Sequence, residues 1–193
     1  LARGLAARWR FDEGAGTAAA NDVSTNWPGA LRNMAATNWV SGRNGGALEF
    51  DGTNDYVSVA QGGGAVATGA PFTVTAVIWQ DAAGTSEFPT VISDGLLILT
   101  NRWPGFALRH GKTQNALVGY AGNSNAAVQP AVATNWSPGN VGRWVDVALS
   151  HDGTAARLYV EGRLAATAPQ AFEAYPQAEL RIGAGHVNVP NAY

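Results

Sequence analysis

The sequence predicts an all-β protein, a sandwich of two antiparallel sheets, on three observations. Between Trp144 and Leu164, the apolar Val145, Val147 and Leu149 alternate with Asp146, Ala148 and Ser150, and Leu158 and Val160 alternate with Arg157, Tyr159 and Glu161. That is the period-2 pattern of half-buried strands. Asp152-Gly153 and Glu161-Gly162-Arg163 read as tight reversals, because glycine takes positive φ without steric cost and Asp tolerates it, so three strands form a meander. Second, short apolar runs bounded by turn residues recur about every ten residues. Third, no segment has helical periodicity, and no long repeat occurs.

Taken in order, Ala7, Trp9 and Phe11 alternate with Arg8 and Arg10, giving a first strand with an apolar and a cationic face. Glu13-Gly14-Ala15-Gly16 is turn material and Ala20 to Gly29 a loop. Short strands are expected at Ala30 to Met34, Ala47 to Phe50 and Asp55 to Ala60, and Gly62-Gly63-Gly64 reads as a flexible break too short to divide domains. Phe72 to Gln80 is the longest strand, with Phe72, Val74, Ala76 and Ile78 on one face and Thr73, Thr75, Val77 and Trp79 on the other. Strands then follow at Thr90 to Ser93, Leu96 to Thr100, Gly105 to His110, Asn115 to Tyr120 and Ala126 to Ala133. Turns are expected at Asp94-Gly95, Pro104-Gly105, His110-Gly111 and Gly122-Asn123.

A chain of 193 residues fits one domain, 1–193, able to bury a core without staples. The absence of Cys leaves no disulfide framework and no thiolate metal site. A formal charge of −2, 13% charged residues and a single lysine, Lys112, argue against nucleic acid, whose phosphates need clustered cations. No run of about eighteen apolar residues occurs, so no membrane-spanning helix is expected.

The Trp-led strand, Asp-Gly turn, Leu158-Tyr159-Val160 strand and Gly-bearing turn resemble the laminin G-like (concanavalin A-like) jelly-roll domains. Trp9-Arg10-Phe11-Asp12-Glu13-Gly14-Ala15-Gly16-Thr17 is similar to that family's opening strand and turn, and Gly46 to Val57 to its second hallmark. The resemblance covers most of the chain in the right order and implies a two-sheet antiparallel jelly roll. It also implies a last strand after Glu179-Leu180-Arg181-Ile182-Gly183, whereas the sequence stops at Tyr193 within the preceding loop. Three explanations stand open: the sequence is part of a longer chain, a neighbouring chain donates the strand, or the sandwich closes differently.

Relatives of this fold that hydrolyse β-glucans carry a Glu-x-Asp-x-x-Glu strand, because cleavage needs two carboxylates on one face. Glu49-Phe50-Asp51-Gly52-Thr53-Asn54 lacks the second Glu and turns at Gly52. No Gln-x-His strand of the lyase type, Gly-x-Ser-x-Gly, His-Glu-x-x-His or P-loop is present. His110, His151 and His186 sit in turns or a loop, where solvated rings are expected. A non-catalytic module is the expectation.

Many relatives hold Ca²⁺ in their loops, which needs six to eight oxygen ligands. The resemblance points to Asp22, in the loop before Trp27, and to Asp51, Asn54 and Asp55; the competing reading gives each an Asx turn or loop cap. For ligand binding, Trp103 in Asn101-Arg102-Trp103-Pro104 is the candidate platform, joined by Trp79, Arg109, Asn115 and Tyr120 if these strands form one concave sheet. Trp9, Trp79 and Trp144 otherwise read as core, and Trp27, Trp39 and Trp136 as plugs over the sandwich ends. Two functions follow. One is an extracellular or surface-displayed recognition module for a glycan or a protein surface. The other is an assembly module of a virion or filament surface, closed by neighbouring chains. A polysaccharide-active enzyme is the third and weakest.

Overall fold

The structure, a computed structural model, describes residues 4–81, 89–94, 104–111, 115–123, 130–136 and 138–185. The chain forms β1 (Ala18–Ala19), β2 (Gly29–Arg32), then a small ribbon of β3 (Trp39–Ser41) and β4 (Gly46–Leu48). Next come β5 (Tyr56–Val59), β6 (Phe72–Trp79), β7 (Thr90–Ser93), β8 (Gly105–Gly111), β9 (Ala116–Gly122) and β10 (Ala131–Thr134). The expected meander follows as β11 (Trp144–His151), β12 (Ala155–Val160) and β13 (Arg163–Pro169), and after it β14 (Leu180–Ile182).

Among the described residues, one sheet runs β1-β2-β5-β14-β7-β8-β9-β10 and a second runs β13-β12-β11-β6. The neighbours pair antiparallel, as they do on β6 and β11, where Phe72 lies opposite His151 and Trp79 opposite Trp144. Inward-facing rows of the two sheets make one core. Val57, Val59, Phe106, Leu108 and Leu117 from the larger sheet meet Val145, Val147, Leu149, Ala156 and Leu158 from the smaller. Each such aliphatic side chain contributes on the order of 1.5–3 kcal/mol when fully buried. At Gly119 the layers come so close that a Cβ would lie 2.8 Å from both Leu149 Cδ1 and Leu158 Cδ2.

Several expectations need correcting. Ala7 to Phe11 is not a strand: only Trp9 bridges, to Asn21, and Phe11 turns the backbone to φ 62°. Trp9 is held instead by its indole N–H, which donates to Trp27 O at 3.0 Å. Gly62-Gly63-Gly64 is not a flexible tip but a 3-10 turn packed on β14, with Gly62 and Gly63 buried. A Cβ at Gly62 would stand 2.6 Å from Leu180 Cβ.

His110 and His151 are also not solvated turn residues, since both are buried. His110 lies within β8, opposite Leu117, where a turn was expected. His151 ends β11; Gly153 N–H donates to its Nδ1 at 3.2 Å, so Nε2 carries the hydrogen that meets Gln170 O at 2.9 Å. Trp79 is not core, at 48% exposed. The strand expected at Leu96 to Thr100, residues 126–129 of the next one and His186 lie outside the described residues.

Candidate functional site

Sequence alternation decides which face each candidate occupies. On β8, Phe106 and Leu108 enter the main core, so Arg109 points to the other face; on β9, Leu117 and Ala121 enter it, so Tyr120 does likewise. Ala107, Ala116, Val118 and Tyr120 form a second apolar cluster there. Arg109 Nη2 donates to Tyr120 Oη at 2.8 Å, and its guanidinium carbon stands 4.9 Å from the ring centroid. The structure thus brings Arg109 and Tyr120 together. Tyr120 is only 8% exposed, and Ser93, Ser58 and Arg181 on the same face are buried as well. Among the described residues, this face does not offer an open aromatic platform.

Asn115 sits at the turn before β9, at φ 44°, where its carbonyl accepts from Trp136 N at 3.0 Å. Trp79 does not share the face of Arg109, Asn115 and Tyr120, contrary to expectation. β6 belongs to the smaller sheet, and alternation turns Trp79 to that sheet's outer surface. Trp103 lies outside the described residues.

Among the described residues, the exposed aromatic, Trp79, lies on the outer face of the smaller sheet, beside half-buried Trp144. Trp79 and Trp144 are direct cross-strand partners, with ring centroids 5.7 Å apart and planes at 68°. Trp79 Nε1 donates to Asp81 Oδ1 at 3.0 Å, which fixes the indole's orientation. Next along the strands, Val77 lies opposite Asp146, and Arg43, in the turn between β3 and β4, grips Asp146 with two bonds of 2.7 and 2.8 Å. Arg43 is the first cause of an Asp146 carboxyl held below its usual range. Arg143 pairs with Glu161 at 3.0 Å and also donates to Asn140 Oδ1 at 2.6 Å. Leu164, opposite Tyr159, is 58% exposed. Trp144 and Asp146 are legible as outward-facing, because they alternate with the core residues Val145 and Val147; aromatic size alone makes Trp144 read as interior.

Of the expected calcium ligands, the carboxylates of Asp22, Asp51 and Asp55 have other partners. Both Asp22 oxygens accept from Arg8, at 2.8–3.1 Å, and Arg10 Nε stands 2.6 Å from Oδ2. The hydrogen bond from Arg8 is the main reason its carboxyl lies below the usual range. Asp51, Asn54 and Asp55 do come together, as a turn. Asp51 Oδ1 accepts backbone N–H groups of Thr53, Asn54 and Asp55 at 2.7, 3.1 and 3.3 Å, and buried Asp55 accepts from Asn38 Nδ2 at 2.8 Å. Carboxylates surrounded by N–H donors and guanidinium groups suit loop capping better than a divalent cation, which needs converging oxygens. Among the described residues no group of three or more His, Asp or Glu is placed to hold a metal.

Sequence reasoning missed the buried Asp94. It is fully buried after β7, and its Oδ1 accepts from Phe106 N–H while Oδ2 has no hydrogen-bond partner. Burial pushes its carboxyl up to about 7 against the pull of that bond. An Asp-Gly pair reads as a solvent-facing turn, so no local signal marked it.

The family model described as the concanavalin A-like lectin/glucanases superfamily matches residues 51–192. No curated protein sequence matches the chain. Among solved structures, domain 4 of AbnA, an extracellular arabinanase from Geobacillus stearothermophilus in complex with arabinotriose, superposes with TM-score 0.66 at 16% identity, covering 97% of this chain and 87% of that one. Trypanosoma rangeli sialidase in complex with sialic acid gives 0.57 at 12% identity over 94% of this chain, and tailspike protein 2 of bacteriophage CBA120 gives 0.52 at 13% over 88%. The chain spans 27% and 26% of those two longer chains. At these identities the likeness establishes the fold.

Proposed function

Because the chain belongs to the concanavalin A-like lectin/glucanases superfamily, we propose that it is a non-catalytic, extracellular recognition module that binds a glycan. The observation that carries this reading is an exposed, oriented indole at Trp79 on a rigid sheet, set among hydrogen-bonding side chains. Sugars present apolar C–H faces to such a ring and hydroxyls to its polar neighbours. In keeping with it, the AbnA domain that superposes over nearly the whole chain was solved with arabinotriose, and its parent enzyme is extracellular.

The carboxylates that the structure pairs with arginine or buries support binding over hydrolysis. A glycosidase needs two carboxyl groups free to flank one glycosidic bond. Here Asp22 is paired with Arg8, Asp146 with Arg43, Asp152 with Arg157, Glu161 with Arg143 and Glu179 with Arg181, while Asp94 is sealed from solvent. Affinity electrophoresis through gels containing neutral and acidic polysaccharides, run beside an assay for released reducing ends, tests the reading. Retardation without cleavage is expected; cleavage lost on replacing a carboxylate would refute it.

A further inference from the structure

We infer that the glycan site lies on the outer face of the smaller sheet, centred on Trp79 and Trp144, and that it takes a neutral, extended polysaccharide. This rests on the glycan-binding reading above and adds the place and the ligand class.

The location follows from exposure. Among the described residues, the larger sheet's outward aromatics are Tyr120, buried, and Tyr56, half-buried, each with a guanidinium over its ring, of Arg109 and Arg181, whereas Trp79, Val77 and Leu164 are 48, 44 and 58% exposed on the smaller sheet. The Trp79 ring is preorganised twice over, by its indole bond to Asp81 and by the edge contact with Trp144. A fixed ring loses little entropy when a sugar stacks on it. The face crosses four strands from β6 to β13, about 14 Å at the usual interstrand spacing, room for more than one sugar ring.

The ligand class follows from charge. Among the described residues, the cation that reaches Asp146 and the one that precedes Trp144 already have anions: Arg43 with Asp146 and Arg143 with Glu161. A sulfated or uronate glycan would need guanidinium groups with charge to spare, and each acidic sugar would meet Asp81, Asp146 or Glu161. An uncharged sugar needs no such surplus, and the paired groups still present donors and acceptors to hydroxyls.

The test is affinity electrophoresis in gels containing arabinan, xylan or mixed-linkage β-glucan, with heparin and polygalacturonate as charged probes, using the intact chain, Trp79→Ala, Trp79→Phe and, on the larger sheet, Tyr120→Phe. Retardation by at least one neutral polymer is expected. Trp79→Ala should weaken it roughly 10- to 100-fold, Trp79→Phe should restore part of it, and Tyr120→Phe should leave it intact. Unchanged thermal unfolding of Trp79→Ala shows that the loss is local. Binding that survives in Trp79→Ala overturns the location while leaving the glycan reading in place. Binding to the charged polymers alone overturns the ligand class. No retardation by any polymer refutes the underlying reading. A dimer in solution that dissociates on Trp79→Ala would mean that a protein covers the face.

Discussion

Replacing Asp94 by Asn should shift stability relative to the parent chain progressively in favour of Asn as pH rises from 4 to 8. The carboxyl is fully buried, so the charged form is disfavoured inside, and the group titrates at about 7 when folded against 3.8 when exposed. Between those two values the folded chain holds a proton that the unfolded chain has released, and stability therefore declines as pH rises through about 4 to 7 and is flat above. The difference of about three pH units corresponds to roughly 4 kcal/mol at 1.36 kcal/mol per unit. Asn keeps the carbonyl that accepts from Phe106 N–H and cannot ionise. Its amide N–H₂ carries a burial cost at every pH, so that cost offsets the difference by a constant and drops out of its pH dependence. Urea denaturation of both proteins at several pH values from 4 to 8 gives the mutational difference as a function of pH. A rise of several kcal/mol in favour of Asn is expected. A difference that stays constant to within about 1 kcal/mol would refute the assignment of a buried, neutral Asp94.

Other perturbations probe other parts of the structure. Gly62→Ala drives a Cβ to 2.6 Å from Leu180 Cβ and 3.1 Å from Val59 Cγ1, and should cost about 1–3 kcal/mol in urea unfolding. Leu158→Ala, in the fully buried core between the sheets, should cost about 2–5 kcal/mol by the same measurement. Carboxyl-carbon NMR should find Asp152 still ionised well into the acid range, because Arg157 and the N–H groups of Thr154 and Ala155 stabilise its charged form, while Asp94 titrates near neutrality. Millimolar Ca²⁺ or EDTA should leave the melting temperature unchanged, since Asp22 is neutralised by Arg8 and Arg10 and Asp51 caps its own turn. A rise with Ca²⁺ would show a site that these contacts do not reveal.

The meander was legible because its signals agree. Val145, Val147 and Leu149 sit at strict period 2, and the turn residues Asp152-Gly153 fit the reversal, so β11, β12 and β13 form as expected. Where long-range contacts decide, local pattern failed. Ala7 to Phe11 alternates like a strand, but Phe11 turns to positive φ where Asp12 accepts from Gly46 N–H at 2.7 Å, a partner 34 residues away. Likewise His110-Gly111 looks like a turn and is instead held in β8 by pairing with Leu117 and Ala116.

The candidate site was half legible. That Trp79 faces away from Ile78 and Val74 is plain from alternation, and so is its company with Thr73, Thr75 and Val77. Which sheet β6 joins is not, since strand order depends on pairing between distant segments. Local pattern therefore groups Trp79 with Arg109 and Tyr120, which the topology puts on the opposite layer. The bidentate hold of Arg43 on Asp146 spans 103 residues and leaves no mark in either local sequence.

The most direct measurement is an amide and indole NMR titration with oligosaccharides cut from whichever neutral polymer retards the chain. The indole N–H of Trp79 and the amides of Val77, Trp144 and Asp146 should shift together and saturate with one affinity. Shifts confined to Arg109, Asn115 and Tyr120, with Trp79 unmoved, would contradict the account.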